Sequence, residues 1–180
     1  MKTDTHKLAL CAVLAALALA LSYMESLFPT ALLIPLPGFK LGLANIVTVF
    51  ALYYLGTMPA FAILITRCLL GAMFAGNVSA LLFSLMGGIL AMAVMALVHR
   101  LPGLSIYGVS ITGAAAHNIG QVGAAAVTLG SAVAVAYLPL LLIVSLFTGA
   151  LTGFVAALLF AALNKTSIRS GTHGTAADPR

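Results

Sequence analysis

Charge is scarce in this chain, and acid is nearly absent. Of 180 residues only 6% are charged, and three are acidic. A soluble domain carries roughly 25% charged residues, so a soluble fold of this size could not cover its surface. Cysteine is just as sparse. Cys11 and Cys68 sit inside apolar runs, with no CxxC, no haem-attachment CxxCH and no Cys/His cluster at metal-ligand spacing. Both read as small buried hydrophobes. There is no Walker A motif, so any ATP hydrolysis belongs to partners. The net charge of +5 does not mark a nucleic-acid binder, because no basic stripe with interleaved aromatics occurs.

What the chain has instead is hydrophobicity. Apolar residues make up 63% of it, and its mean hydropathy is +1.20. These values indicate an all-α integral membrane protein. Residues 1–165 form a single transmembrane bundle, and residues 166–180 are expected to be a polar, disordered cytoplasmic tail.

Six apolar runs predict six membrane-spanning helices, near residues 8–23, 41–54, 60–74, 79–98, 106–129 and 132–163. The first carries small residues at Ala16, Ala18 and Ala20 that would suit a signal-peptide cleavage site. It is long for such a peptide and further spans follow, so it is read as helix 1. Between the first two runs Pro29, Pro35, Pro37 and Gly38 break helical structure and predict a loop or re-entrant segment. Gly56 and Pro59 predict a tight turn, and the last run is long enough to bend near Pro139. With both termini inside, Lys2, Lys7, Arg100, Lys165, Arg169 and Arg180 lie on the inner side and only Lys40 on the outer. The excess of inner positive charge and the even span count both predict cytoplasmic termini.

Between residues 8 and 164 the only charges are Glu25, Lys40, Arg67 and Arg100. Arg100 suits a loop anchor. Arg67 falls near the middle of its helix, where an arginine costs about 2.5–3.5 kcal/mol on insertion scales, so it must face protein or water and have a partner. Two readings stay open: an ion pair with Glu25, or contact with an anionic ligand group in an outward-facing cavity. The fifth helix offers a second cluster. Ser110, Ala114, His117 and Gln121 share one face, with Asn118 beside it. Polar groups are costly in hydrocarbon, so this face should look into the bundle, either as interhelical hydrogen bonds or as a ligand site. By depth alone, Lys40, Asn45, Arg67, Asn77, His117, Asn118 and Gln121 could converge in the outer half. On helix 1, Ala12, Ala16 and Ala20 form a row of small residues that lets another helix approach. That helix could belong to this bundle or to another subunit.

The stretches "PGFKLGLANIV" (37–47), "RCLLG" (67–71), "SLMGG" (84–88) and "GVSITGAAAHNIGQ" (108–121) resemble the Gx transporter family, also labelled heptaprenyl diphosphate synthase component I. The resemblance covers about residues 7–163. That family in turn resembles the substrate-binding S components of energy-coupling factor transporters, six-helix proteins of the bacterial cytoplasmic membrane. The resemblance implies a binding subunit for a small anionic micronutrient, coupled to a transmembrane subunit and two ATPases. It implies a partner-docking role for Ala12, Ala16 and Ala20. Ligand binding would fall to Lys40, Asn45, Arg67, His117, Asn118 and Gln121. No cofactor or metal is implied. The family's association with flavin-based extracellular electron transfer suggests an alternative, a non-catalytic membrane subunit in quinone, prenyl or flavin chemistry. The synthase label itself fits poorly. Prenyl diphosphate synthases hold Mg²⁺ through aspartate-rich motifs, and Mg²⁺ needs oxygen ligands. Asp4, Glu25 and Asp178 are the only acids and lie far apart.

Overall fold

The computed structural model describes residues 2–27, 42–76, 78–129 and 135–169, and helices account for nearly all of them. Six helices run through them: α1 (Lys2–Ser26), α2 (Asn45–Leu55), α3 (Thr57–Ala75), α4 (Val78–Val98), α5 (Ile106–Leu129) and α6 (Leu138–Arg169). No strand occurs among the described residues. Among the described residues, four helical segments are long and apolar enough to cross a membrane: Thr5–Ser26, Thr57–Ala75, Val78–Val98 and Leu138–Lys165. This is a multi-pass arrangement by length and composition. Two helices fall outside that set. At 1.5 Å per residue, the 11 residues of α2 span only about 16 Å. The 24 residues of α5 are long enough, but His117, Asn118 and Gln121 lower its hydropathy.

The helix boundaries follow local chemistry. Gly56, with φ of 92°, is the single residue between α2 and α3, a backbone angle that glycine adopts without steric cost. Pro59 is not part of the turn. It lies in the first turn of α3, where its missing N–H is not needed. The final helical run is interrupted at Tyr137, two residues before Pro139. Proline has no N–H for the carbonyl of residue 135, so the helix restarts as α6.

Packing places α2 inside the bundle. It touches α1, α3, α4 and α6, and every residue from Asn45 to Leu52 is buried. A short helix apolar on all sides belongs in such a position. Around it Leu14 and Ala18 of α1, Ile63 and Leu64 of α3, Met92 and Met95 of α4, and Phe160 of α6 form the main core. The most extensive contacts join α5 to α4 and to α6. Both crossings run through glycine. A Cβ on Gly120 would lie 2.5 Å from the Met86 carbonyl oxygen of α4. One on Gly149 would lie 2.5 Å from Ile111 Cα of α5. In lipid, helices gain little from apolar burial against each other, so such close approach carries the association.

Candidate functional site

One group of buried polar side chains lies where the C-terminal part of α1 meets the start of α2. Arg67 is buried, with 6% of its surface exposed. Its Nη2 donates to Asn45 Oδ1 at 3.1 Å. Its Nε, also buried, has no hydrogen-bond partner among the described residues. Glu25 is buried at the end of α1 and acts electrostatically on Arg67. Its two oxygens serve the backbone, however. Gly42 N donates to Oε1 at 2.5 Å and Leu43 N to Oε2 at 3.2 Å. Successive amides pointing at one carboxylate form a small anion-binding concavity. It depends on Gly42, whose φ of 88° is a left-handed angle. Of the two readings open for Arg67, neither is settled by these contacts: Glu25 accepts from backbone amides, and Asn45 accepts from the guanidinium.

His117 joins this network from α5. Its ring lies close to Gly42: a Cβ there would sit 3.4 Å from His117 Cδ2 and 3.0 Å from Asn45 Nδ2. On its other side the ring backs onto Gly87 of α4, where a Cβ would meet His117 Cε1 and Gln121 Cγ at 3.0 Å. Gln121 Nε2 lies 3.0 Å from His117 Nε2. As placed, the amide donates and Nε2 accepts. A half-turn of the amide would reverse the roles. Gln121 Oε1 is buried without a partner among the described residues.

Asn45, Arg67, His117 and Gln121 are therefore brought together. Asn118 is not. One residue on from His117, it points about 100° around the helix, and its Nδ2 donates to Leu141 O of α6 at 2.8 Å. Asn118→Ala should cost about 0.6 kcal/mol, the average for interhelical hydrogen bonds in membranes, measured by denaturation in detergent. Any ligand should still be retained. Ser110 also faces α6, against Gly153. Lys40 and Asn77 lie outside the described residues. Ala12, Ala16 and Ala20 are all exposed, so this row does not pack inside the bundle.

Gly42, Gly87 and the role of Glu25 escaped the sequence reading. Gly42 falls within one of the stretches that carried the resemblance, and Glu25 was visible as the one acid outside the tails. Gly87 likewise falls within such a stretch, SLMGG (84–88). Beside Arg67 is a cavity of about 10 Å³, lined also by Ser22, Cys68, Ala72 and Ser84. That is room for one water. Among the described residues no group of three His, Cys, Asp or Glu side chains could hold a metal ion.

The model of the family described as Heptaprenyl diphosphate synthase component I matches residues 14–159. No curated protein and no solved structure matches the chain.

Proposed function

The chain belongs to the heptaprenyl diphosphate synthase component I family, and from that premise we propose that it is the membrane-embedded binding subunit of an ATP-driven micronutrient uptake system. In this reading all six helices complete one S-component-like bundle with cytoplasmic termini. The polar end faces outward and takes a small ligand with an anionic group. One observation carries the reading: the buried Arg67, whose Nε has no acceptor among the described residues while its Nη2 is fixed by Asn45. A desolvated guanidinium with a spare donor suits a carboxylate or phosphate. His117 and Gln121 supply orienting hydrogen bonds beside it. Lys40 adds positive charge, and Asn118 braces α5 from behind. The exposed Ala12, Ala16 and Ala20 give a coupling subunit a close-packing face, and ATPase partners drive the cycle.

We place no catalysis in this chain. Of its three acids, Asp4 and Asp178 are in the terminal segments, and both Glu25 oxygens already accept from backbone amides. That leaves no carboxylate set for Mg²⁺ and diphosphate.

The test is native mass spectrometry of the protein purified in mild detergent, wild type beside Arg67→Ala. The expected result is a small molecule retained by the wild type and lost from a variant that keeps its helical circular dichroism. If neither folded protein carries a ligand, the binding-subunit reading fails. Weight then passes to a non-catalytic subunit of a quinone, prenyl or flavin-linked electron-transfer complex, identified by the proteins that co-purify.

A further inference from the structure

We propose that Arg67 Nε donates to a single bound water, held in the small cavity between α1, α3 and α4. The water site stands without the binding-subunit reading. Within that reading it describes the ligand-free protein, where a water takes the hydrogen bond that an oxygen of the anionic group otherwise takes.

The cavity measures about 10 Å³. A space of roughly 10–15 Å³ admits one water and nothing larger. Size alone does not wet a cavity. One lined only by hydrocarbon stays dry, and a buried water makes about three hydrogen bonds. Here the walls are mixed. Arg67 of α3 and Ser22 of α1 are buried, and Ser84 joins them from α4. Arg67 brings a donor, Nε, that has no acceptor among the described residues. The donor belongs to a cation, so the bond it lacks is of the stronger, charge-assisted kind. A serine hydroxyl both donates and accepts, and Ser22 and Ser84 therefore give the water two further partners. Cys68 and Ala72 complete the wall on α3.

The protein groups nearest in charge and contact are spent elsewhere. Arg67 Nη2 is turned to Asn45 of α2. Both Glu25 oxygens accept from the amides of Gly42 and Leu43. Neither side chain supplies Nε with an acceptor. A metal ion is a poor occupant beside a guanidinium, because like charges repel strongly where water is excluded. The water has a structural consequence as well. Among the described residues α1 packs mainly on α2 and α3 rather than on α4. A water shared by Ser22, Arg67 and Ser84 links α1 to α4 across α3. In hydrocarbon, where no bulk solvent competes for these groups, such a link holds.

The test is X-ray radiolytic footprinting of the full chain in detergent. Hydroxyl radicals form from bound water as well as from solvent, and they oxidise the side chains beside them. Cys68 lines the cavity and is 4% exposed. In the wild type it should be oxidised despite its burial. After rapid mixing into ¹⁸O-labelled water, its product should take up the label more slowly than that of the exposed Met58. Arg67→Met should lower Cys68 oxidation about tenfold, the fold-change of one charge-assisted hydrogen bond. Ala72→Val and Ala80→Val fill the cavity from α3 and from α4 and keep Arg67, Ser22 and Ser84. Whichever of them folds, by circular dichroism, should lose Cys68 oxidation. The inference is overturned by a wild-type Cys68 that resists oxidation, by equal oxidation in a folded cavity-filling variant, or by label uptake at Cys68 as fast as at Met58. If no ligand appears in native mass spectra while Cys68 behaves as expected, the binding-subunit reading fails and the water site stands. If a ligand is retained, and Cys68 stays unoxidised once it has been washed out, the water site falls and that reading stands.

Discussion

Glu25→Ala should destabilise the bundle by about 3–5 kcal/mol, the usual cost of leaving one partner of a buried charged network unmatched. The side chain is 2% exposed and serves three groups. It accepts the amides of Gly42 and Leu43, and its charge acts on Arg67. Alanine strands two donors and leaves the guanidinium without its compensating charge. Glu25→Gln should lose less. Its carbonyl can still accept one amide, but its NH₂ faces the other donor and the negative charge is gone. Reversible unfolding in detergent measures both variants. A double-mutant cycle with Arg67→Met separates the two roles, since residues in one network couple by about 0.5–3 kcal/mol. If charge dominates, Glu25→Ala becomes much milder in the Arg67→Met background. If the backbone contacts dominate, its cost hardly changes. A Glu25→Ala protein as stable as wild type would mean that the carboxylate does not hold the start of α2.

The second large effect is expected at the α5–α6 crossing. Gly149→Ala should destabilise by about 1–3 kcal/mol through overpacking, and Gly149→Leu by more. The added Cβ would lie 2.5 Å from Ile111 Cα and 3.0 Å from the Ser110 carbonyl oxygen. These are backbone atoms of a helix and cannot swing aside, so the helices must separate. One turn further on, a Cβ at Gly153 would lie 3.0 Å from Tyr107 Cα, and the pair forms the GxxxG spacing that lets helices approach in lipid. Gly123→Ala is the control. Nothing lies within 4 Å of its added Cβ, and alanine is the better helix former by about 1 kcal/mol. That variant should be neutral or more stable. Equal losses at Gly149 and Gly123 would remove close packing as the cause. The crossing also bears on the site, because α5 carries His117 and Gln121. With Gly120 against α4 and Gly149 against α5, the helix is held from two sides. A shift at either contact moves the imidazole away from Gly42 and Asn45.

Some of this was legible in the sequence for simple reasons. Scarcity of charge is a statement about solvent, and it assigned the chain to a membrane without any knowledge of contacts. Proline acts through its own ring, so the interruption just before Pro139 followed from local geometry. A charge in hydrocarbon must be shielded, so Arg67 had to face inward. Helical period put His117 and Gln121 on one face, because residues four apart neighbour each other on any helix.

Which faces meet was decided only by tertiary structure. Depth along a helix places polar groups at the same level but does not say which helices adjoin. Arg67 found Asn45 of α2 as its acceptor, while Glu25 turned to backbone amides whose exposure depends on Gly42. His117 and Asn118 are neighbours in the chain, yet one meets Gly42, just before α2, and Gly87 of α4, and the other α6. A groove between α1 and α3 likewise lies where Ala16 and Ala20 meet Gly71 and Ala75, a pairing that neither helix specifies alone. The physical reason is common to all three. Period and polarity are properties of a single helix, whereas hydrogen-bond partners and voids belong to pairs of helices, set by how closely their backbones can approach.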